Sequence, residues 1–138
     1  MEVFISYRFT GENLIELDTI LGNIRDSLSK IGLDTFCSLW LEEYFRENNM
    51  SVDEIYDYCT NRLSGSDIFF AFIKSEEESR GMKMELDEAI KLNKKVVVAI
   101  KQGLNHDIFR TNASKIIEYK TYEDLYNLLN SPNLLVIQ

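Results

Sequence analysis

The sequence predicts a doubly wound α/β fold in which five parallel strands lie in the order 2-1-3-4-5, with helices on both faces. Three observations lead there. Short β-rich runs alternate with helical patterns along the chain, the signature of a parallel sheet joined by crossover helices. Two of the runs, DIFFAFI (67–73) and KVVVAI (95–100), are almost continuously apolar, as strands covered on both faces must be. Right-handed crossovers between five such strands favour this order and set a topological switch point between strands one and three.

Taken in order, VFISY (3–7) reads as the first strand. In LIELDTILGNIRDSLSKIG (14–32), Leu17, Ile20, Leu21, Ile24, Leu28 and Ile31 recur at helical spacing, and Gly32 stops the helix. DTFCS (34–38) is a second, shorter strand, and residues 53–63 form the next helix. The apolar run 67–73 suits the central strand, residues 81–92 a third helix, and 95–100 the fourth strand. KIIEY (115–119) is the fifth, followed by a helix over 122–129. The tail from Asn130, which holds the only proline, Pro132, is left open. No repeat, low-complexity tract or linker breaks the pattern. With 138 residues, 45% hydrophobic and 12% aromatic, the chain suits one domain (1–138) of flavodoxin-like architecture with a core of its own.

The formal charge of -8 argues against a nucleic-acid polymer or an acidic membrane surface as partner, because phosphate-backbone binding needs a clustered basic face. A small anion can still be held locally. Cys37 and Cys59 are too few for a disulfide framework, and there is no signal peptide or ~20-residue apolar span. The expectation is a cytoplasmic protein with reduced thiols. The single histidine, His106, excludes a His-rich metal site, and no metal motif is present.

In such sheets the ligand crevice lies outside the carboxyl ends of the strands that flank the switch point. That rule brings YRFTGEN (7–13) beside KSEEESRG (74–81). The helix leaving the second loop begins at Ser79, Arg80 and Gly81, and its unpaired N–H groups and partial positive charge suit a phosphate or another anion. Gly81 lets the backbone approach closely. At ~100° per residue, Met82, Leu86, Ala89, Ile90 and Leu92 share an apolar arc, and Glu85 falls inside it while Asp87 and Glu88 fall outside. A carboxylate there is costly unless something pairs with it or uses it. Two readings stand open. Glu85 is a rim residue ion-paired with Arg8 or Arg80, or it is a nucleophile presented to whatever the anion is attached to. For a nucleotide that is the sugar, and a carboxylate near the anomeric carbon can attack it in a retaining glycosyl transfer. Trp40, Tyr44 and Phe45 after strand two offer a stacking surface for a base, or a core or subunit contact.

SRGMKMEL (79–86) resembles the motif of the nucleoside 2-deoxyribosyltransferases and the related 2′-deoxynucleoside 5′-monophosphate N-glycosidases. That motif has serine six and glycine four residues before a nucleophilic glutamate, the positions of Ser79, Gly81 and Glu85. FISYRFTGE, SGSDIFFAFI and AIKLNKKVVVAI extend the resemblance over most of the chain. It implies that Glu85 is catalytic, that Ser79 and Gly81 contact a 5′-hydroxyl or 5′-phosphate, and that Ser6, Tyr7 and Arg8 line the opposite wall. It further implies a small-molecule nucleoside or nucleotide substrate, no cofactor, and a homodimer or larger whose sites are completed by a neighbouring subunit. One departure stands out. The family usually has an aspartate eight residues before the dipeptide that opens strand three, to orient the sugar and protonate the base; Cys59 stands there. Asp57, two residues away and roughly on the opposite side of the helix, is the candidate acid in its place.

VFISYR and GLDTFCS also resemble the first two strands of TIR domains. Enzymatic members of that family cleave the nicotinamide–ribose bond of NAD with a glutamate on the corresponding helix, and a non-enzymatic signalling or assembly module is the further alternative. The glycine-to-glutamate spacing fits the deoxyribosyltransferases better, since TIR enzymes tend to carry tryptophan or cysteine just ahead of the glutamate, where Met82, Lys83 and Met84 stand. Both resemblances put an N-glycosidic bond over Glu85.

Overall fold

The computed structural model describes residues 1–131. Strands β1 (Glu2–Ser6), β2 (Asp34–Phe36), β3 (Ile68–Ile73), β4 (Lys95–Lys101) and β5 (Lys115–Tyr119) form one sheet in the order β2-β1-β3-β4-β5. Every neighbouring pair is parallel, as the alternating pattern requires. Helices α1 (Leu14–Lys30), α2 (Glu42–Glu47), α3 (Val52–Ser64), α4 (Arg80–Lys91), α5 (Asp107–Asn112) and α6 (Tyr122–Leu129) connect and follow the strands.

Strand composition tracks position in the sheet. All six residues of central β3 are buried, because helices cover both its faces. Edge strand β5 alternates instead, with Ile117 and Tyr119 inward and Ile116 and Glu118 exposed. One core layer packs Leu17, Leu21, Ile24 and Leu28 of α1 and Leu125 and Leu129 of α6 against Val3, Ile5, Phe70, Phe72, Val97 and Ala99. The other packs Cys59 and Leu63 of α3, Met82, Leu86 and Ala89 of α4 and Phe109 of α5 against Phe4, Phe69, Ala71, Val96 and Val98. The buried Tyr119 hydroxyl donates to the Ile73 carbonyl at 2.8 Å, which fixes the carboxyl end of β3 relative to β5.

Helix ends follow their capping residues. Ser51 and Glu54 form a reciprocal capping box at the start of α3, and Ser79 and Thr121 cap α4 and α6 through their hydroxyls. Gly32 takes φ +84 just past α1, and its N–H and that of Leu33 close onto Ser29 and Leu28.

The structure adjusts several predicted boundaries. The first strand stops at Ser6, and the second stops at Phe36, so Cys37 and Ser38 lie beyond it. A 3-10 turn (Ser38–Leu41) leading into α2, and the six-residue α5, are absent from the sequence reading because segments this short show no recognisable period. Pro132 lies outside the described residues. Among the described residues no helix is long and apolar enough to cross a membrane.

Candidate active site

The switch point opens into a crevice of about 560 Å³. Its walls come from the loop after β1 (Tyr7, Arg8, Phe9, Thr10), the start of α4 (Ser79, Arg80, Gly81), the segment after β2 (Ser38, Glu42) and α3 (Val52, Ile55, Tyr56, Cys59). Glu85, on the second turn of α4, forms part of the same lining. A separate cavity of about 20 Å³ behind Arg8, Glu12, Lys74 and Met82 has room for little more than a water molecule.

Glu85 keeps part of its surface open to the crevice, yet protein surrounds it on most sides. Its Oε1 accepts a 2.6 Å hydrogen bond from the hydroxyl of Ser6, the last residue of β1 and itself buried. Burial raises the carboxyl pKa from 4.5 to about 7, and the Ser6 hydrogen bond pulls the other way by favouring the anion. Among the described residues no basic side chain is ion-paired with Glu85. Arg8 is committed to Glu12 and Glu77, and Arg80 stands exposed on the rim. The ion-paired rim residue that the sequence left open is therefore not what the fold builds. Its carboxylate sits at a helix–strand junction with one hydroxyl donor and an opening to solvent.

The remaining predicted residues divide cleanly. Ser6, Tyr7, Arg8, Ser79, Gly81 and Glu85 converge on the crevice or its floor. Ser79 spends its hydroxyl on the α4 cap, accepting from Met82 N–H at 3.2 Å. Tyr7 is buried, and its hydroxyl pairs with that of Ser38 at 2.9 Å; burial raises the phenol pKa well above its ordinary value, so it stays protonated. Trp40 is not brought to the crevice. Its ring packs against the α1 side of the core with the Arg25 guanidinium 5.0 Å from its centroid, because the 3-10 turn rotates it under α1. Asp57 is exposed on the outer side of α3 and does not line the crevice, whereas Cys59, two residues on, faces inward. Burial pushes the Cys59 thiol up to about 11 and that of Cys37 up to about 12, so both stay protonated at neutral pH.

Sequence reasoning overlooked Ser38, Glu42 and the α3 residues Val52, Ile55 and Tyr56 as crevice lining. For Ser38 a signal existed: β2 neighbours β1, so the residues just past its carboxyl end border the same opening. Glu12 was also overlooked. Its side chain is only 7% exposed and receives both Arg8 and Lys74, the latter at 2.7 Å, which ties the loop after β1 to the loop after β3. The Glu12 carboxylate holds the Lys74 ammonium above its ordinary pKa.

No protein-family model matches the chain, and no curated protein matches it in sequence. Solved structures do. The CMP N-glycosidase BcmB of Clostridium botulinum shares the fold with a TM-score of 0.70 at 17% identity, covering 94% of this chain and 98% of that one. A 2-deoxyribosyltransferase from Bacillus psychrosaccharolyticus aligns with a TM-score of 0.63, also at 17% identity, covering 92% and 91%. A conserved protein from Enterococcus faecalis V583 gives 0.62 at 14% identity, covering 94% and 96%. At such identities the likeness establishes the fold.

Proposed function

We propose that this protein cleaves or transfers at the N-glycosidic bond of a (deoxy)nucleoside or its 5′-monophosphate, with Glu85 as the nucleophile. The observation that carries the reading is the Glu85 carboxylate. It has no basic partner among the described residues, Ser6 orients it, and it faces the switch-point crevice just beyond the N-terminal turn of α4. The activities named for the N-glycosidase and the deoxyribosyltransferase of the same fold support it.

The chemistry follows from the geometry. Ser6 holds Oε1, which leaves Oε2 as the attacking oxygen. As the bond from that oxygen to the anomeric carbon forms, the carbon–nitrogen bond breaks and its electron pair leaves with the base. The carboxylate becomes a neutral ester, so the cost of keeping a buried anion is relieved as the reaction advances. Attack by water or by a second base on the same carbon then regenerates Glu85. The Tyr7–Ser38 hydroxyl pair lines the same crevice and can donate a hydrogen bond to the departing base, whereas Asp57 does not line it.

The test is to incubate the protein with deoxynucleosides, their 5′-monophosphates and NAD, and to follow free base or nicotinamide by chromatography. Base release from a nucleoside or monophosphate supports the reading. Nicotinamide release alone would move the protein to NAD cleavage, and no release at all would leave a non-enzymatic module.

Two expected outcomes belong to the same site. A Cβ at Gly81 would meet nothing nearer than the Ser79 hydroxyl at 3.9 Å, so Gly81→Val fits the substrate-free helix. The valine would instead occupy space on the crevice wall where an anion approaches the α4 N–H groups. The KM for a monophosphate should rise ~10-fold or more while that for the nucleoside changes little. Equal wild-type rates on the two substrates would point to a nucleoside enzyme without a phosphate seat.

Self-association is also expected. Met84, Tyr44 and Val52 are exposed apolar side chains, Val52 at 83% and on the crevice wall; Phe45, by contrast, is buried and serves the core. Light scattering at tens of micromolar should report a dimer or larger, and a monomer would count against a shared site.

A further inference from the structure

Among the described residues three carboxylates line the switch-point crevice, those of Glu42, Glu78 and Glu85. Two are engaged. Glu85 accepts from Ser6, and Glu78, in the loop before α4, is ion-paired with Lys83 at 2.9 Å. Glu42, the first residue of α2, is half-buried, and among the described residues neither a basic side chain nor a hydrogen-bond donor holds its carboxylate. It shares its surroundings with Glu85. Burial is the main cause that keeps the Tyr7 phenol and the Cys59 thiol protonated, and the charges of Glu85 and Glu42 both add to it at each group. The Tyr7 hydroxyl is in turn bonded to that of Ser38, just ahead of Glu42 in the chain. The two carboxylates thus bear on one part of the crevice.

We infer that Glu42 is the general base for the second half of the reaction, taking the proton of the water or incoming base that attacks the sugar held on Glu85. This rests on the N-glycosidic reading above. In that step Glu85 is an ester and has no charge with which to accept a proton. As the acceptor's oxygen or nitrogen bonds to the anomeric carbon, the bond from that carbon to Glu85 breaks, its electron pair restores the carboxylate, and the acceptor's proton passes to Glu42. The other polar groups of the crevice are unsuited to the task. Tyr7 and Cys59 are held protonated, and the guanidinium groups of Arg8 and Arg80 have no acceptor. His106, the only imidazole in the chain, lines the small separate cavity rather than the crevice.

Glu42→Gln keeps the shape of the side chain and removes the base. With the deoxynucleoside or 5′-monophosphate that the wild type cleaves, kcat should fall ~100-fold and KM should fall with it, leaving kcat/KM for base release within about twofold. Rapid mixing should show a burst of free base close to one per protein molecule, and peptide mass spectrometry should find the sugar on Glu85. Sodium azide, a nucleophile with no proton to lose, should restore turnover by forming the glycosyl azide. A purely structural role would lower the burst and kcat/KM together and give no rescue, and that result, or an unchanged kcat, would overturn the inference while leaving Glu85 in place. Base release that persists in Glu85→Gln, with no sugar captured on the protein, would overturn the Glu85 reading instead. Wild-type protein that releases no base would overturn both.

Discussion

Glu85→Gln is expected to lower turnover at least ~100-fold, more than ~2.7 kcal/mol of barrier, while raising the melting temperature at pH 8 by several degrees. The amide keeps the shape of the side chain, and its oxygen still accepts from Ser6, but it cannot form the bond to the anomeric carbon. The stability gain has a definite sign. Folding raises the Glu85 pKa from 4.5 to about 7, so above both values the folded protein holds an anion it would rather not hold. Neutralising it should contribute on the order of 2 kcal/mol at pH 8 and nothing near pH 4, where the carboxyl is protonated in the folded and unfolded chains alike. An ion-paired structural glutamate would behave in the opposite way, losing stability on neutralisation and leaving turnover elsewhere untouched. Thermal melts and initial rates on one mutant decide the matter: a destabilised protein with undiminished turnover would remove Glu85 from the mechanism.

The sheet was legible because its signals are local and repeated. The apolar runs of β3 and β4, the helical spacing of Leu17 to Leu28 and the stop at Gly32 each need only neighbouring residues to be read. Strand order then followed from handedness, and the position of the crevice from strand order. Glu85 was legible for a different reason. A carboxylate among Met82, Leu86 and Ala89 violates the helix's own pattern, which is what makes it a candidate for function. What local pattern could not carry was partner choice. Whether Arg8 pairs with Glu85 or with Glu12 and Glu77 depends on how two loops meet across the sheet end, and Glu12 gives no sign of burial within the polar stretch TGEN. Trp40 shows the same gap from the other side. Nearness in sequence to strand two suggested the crevice, but a 3-10 turn of four residues sends the indole to the α1 face.

With a nucleoside as substrate, kcat/KM should fall tenfold for each pH unit below about 7, reaching ~100-fold below its plateau by pH 5. The proposed nucleophile must be ionised to attack, and burial sets Glu85 of the substrate-free protein to ionise near neutrality rather than near 4.5. The nucleoside is the informative substrate, because a 5′-monophosphate loses its own second proton near pH ~6 and would superimpose that titration on the enzyme's. Tyr7, Cys37 and Cys59 are held protonated through this range by burial, so they do not produce the limb. Stability should run against activity over the same window. Between pH 4.5 and about 7 the unfolded chain releases the Glu85 proton before the folded one does, so the contribution of this residue to folding declines as pH rises while the fraction of active anion grows. Ser6→Ala sharpens the test. Without the hydroxyl that favours the anion, the acidic limb should move to higher pH while its slope stays at one proton. A flat profile from pH 5 to 8, or a limb that ignores Ser6, would mean that the group doing the chemistry is not the carboxylate that Ser6 holds.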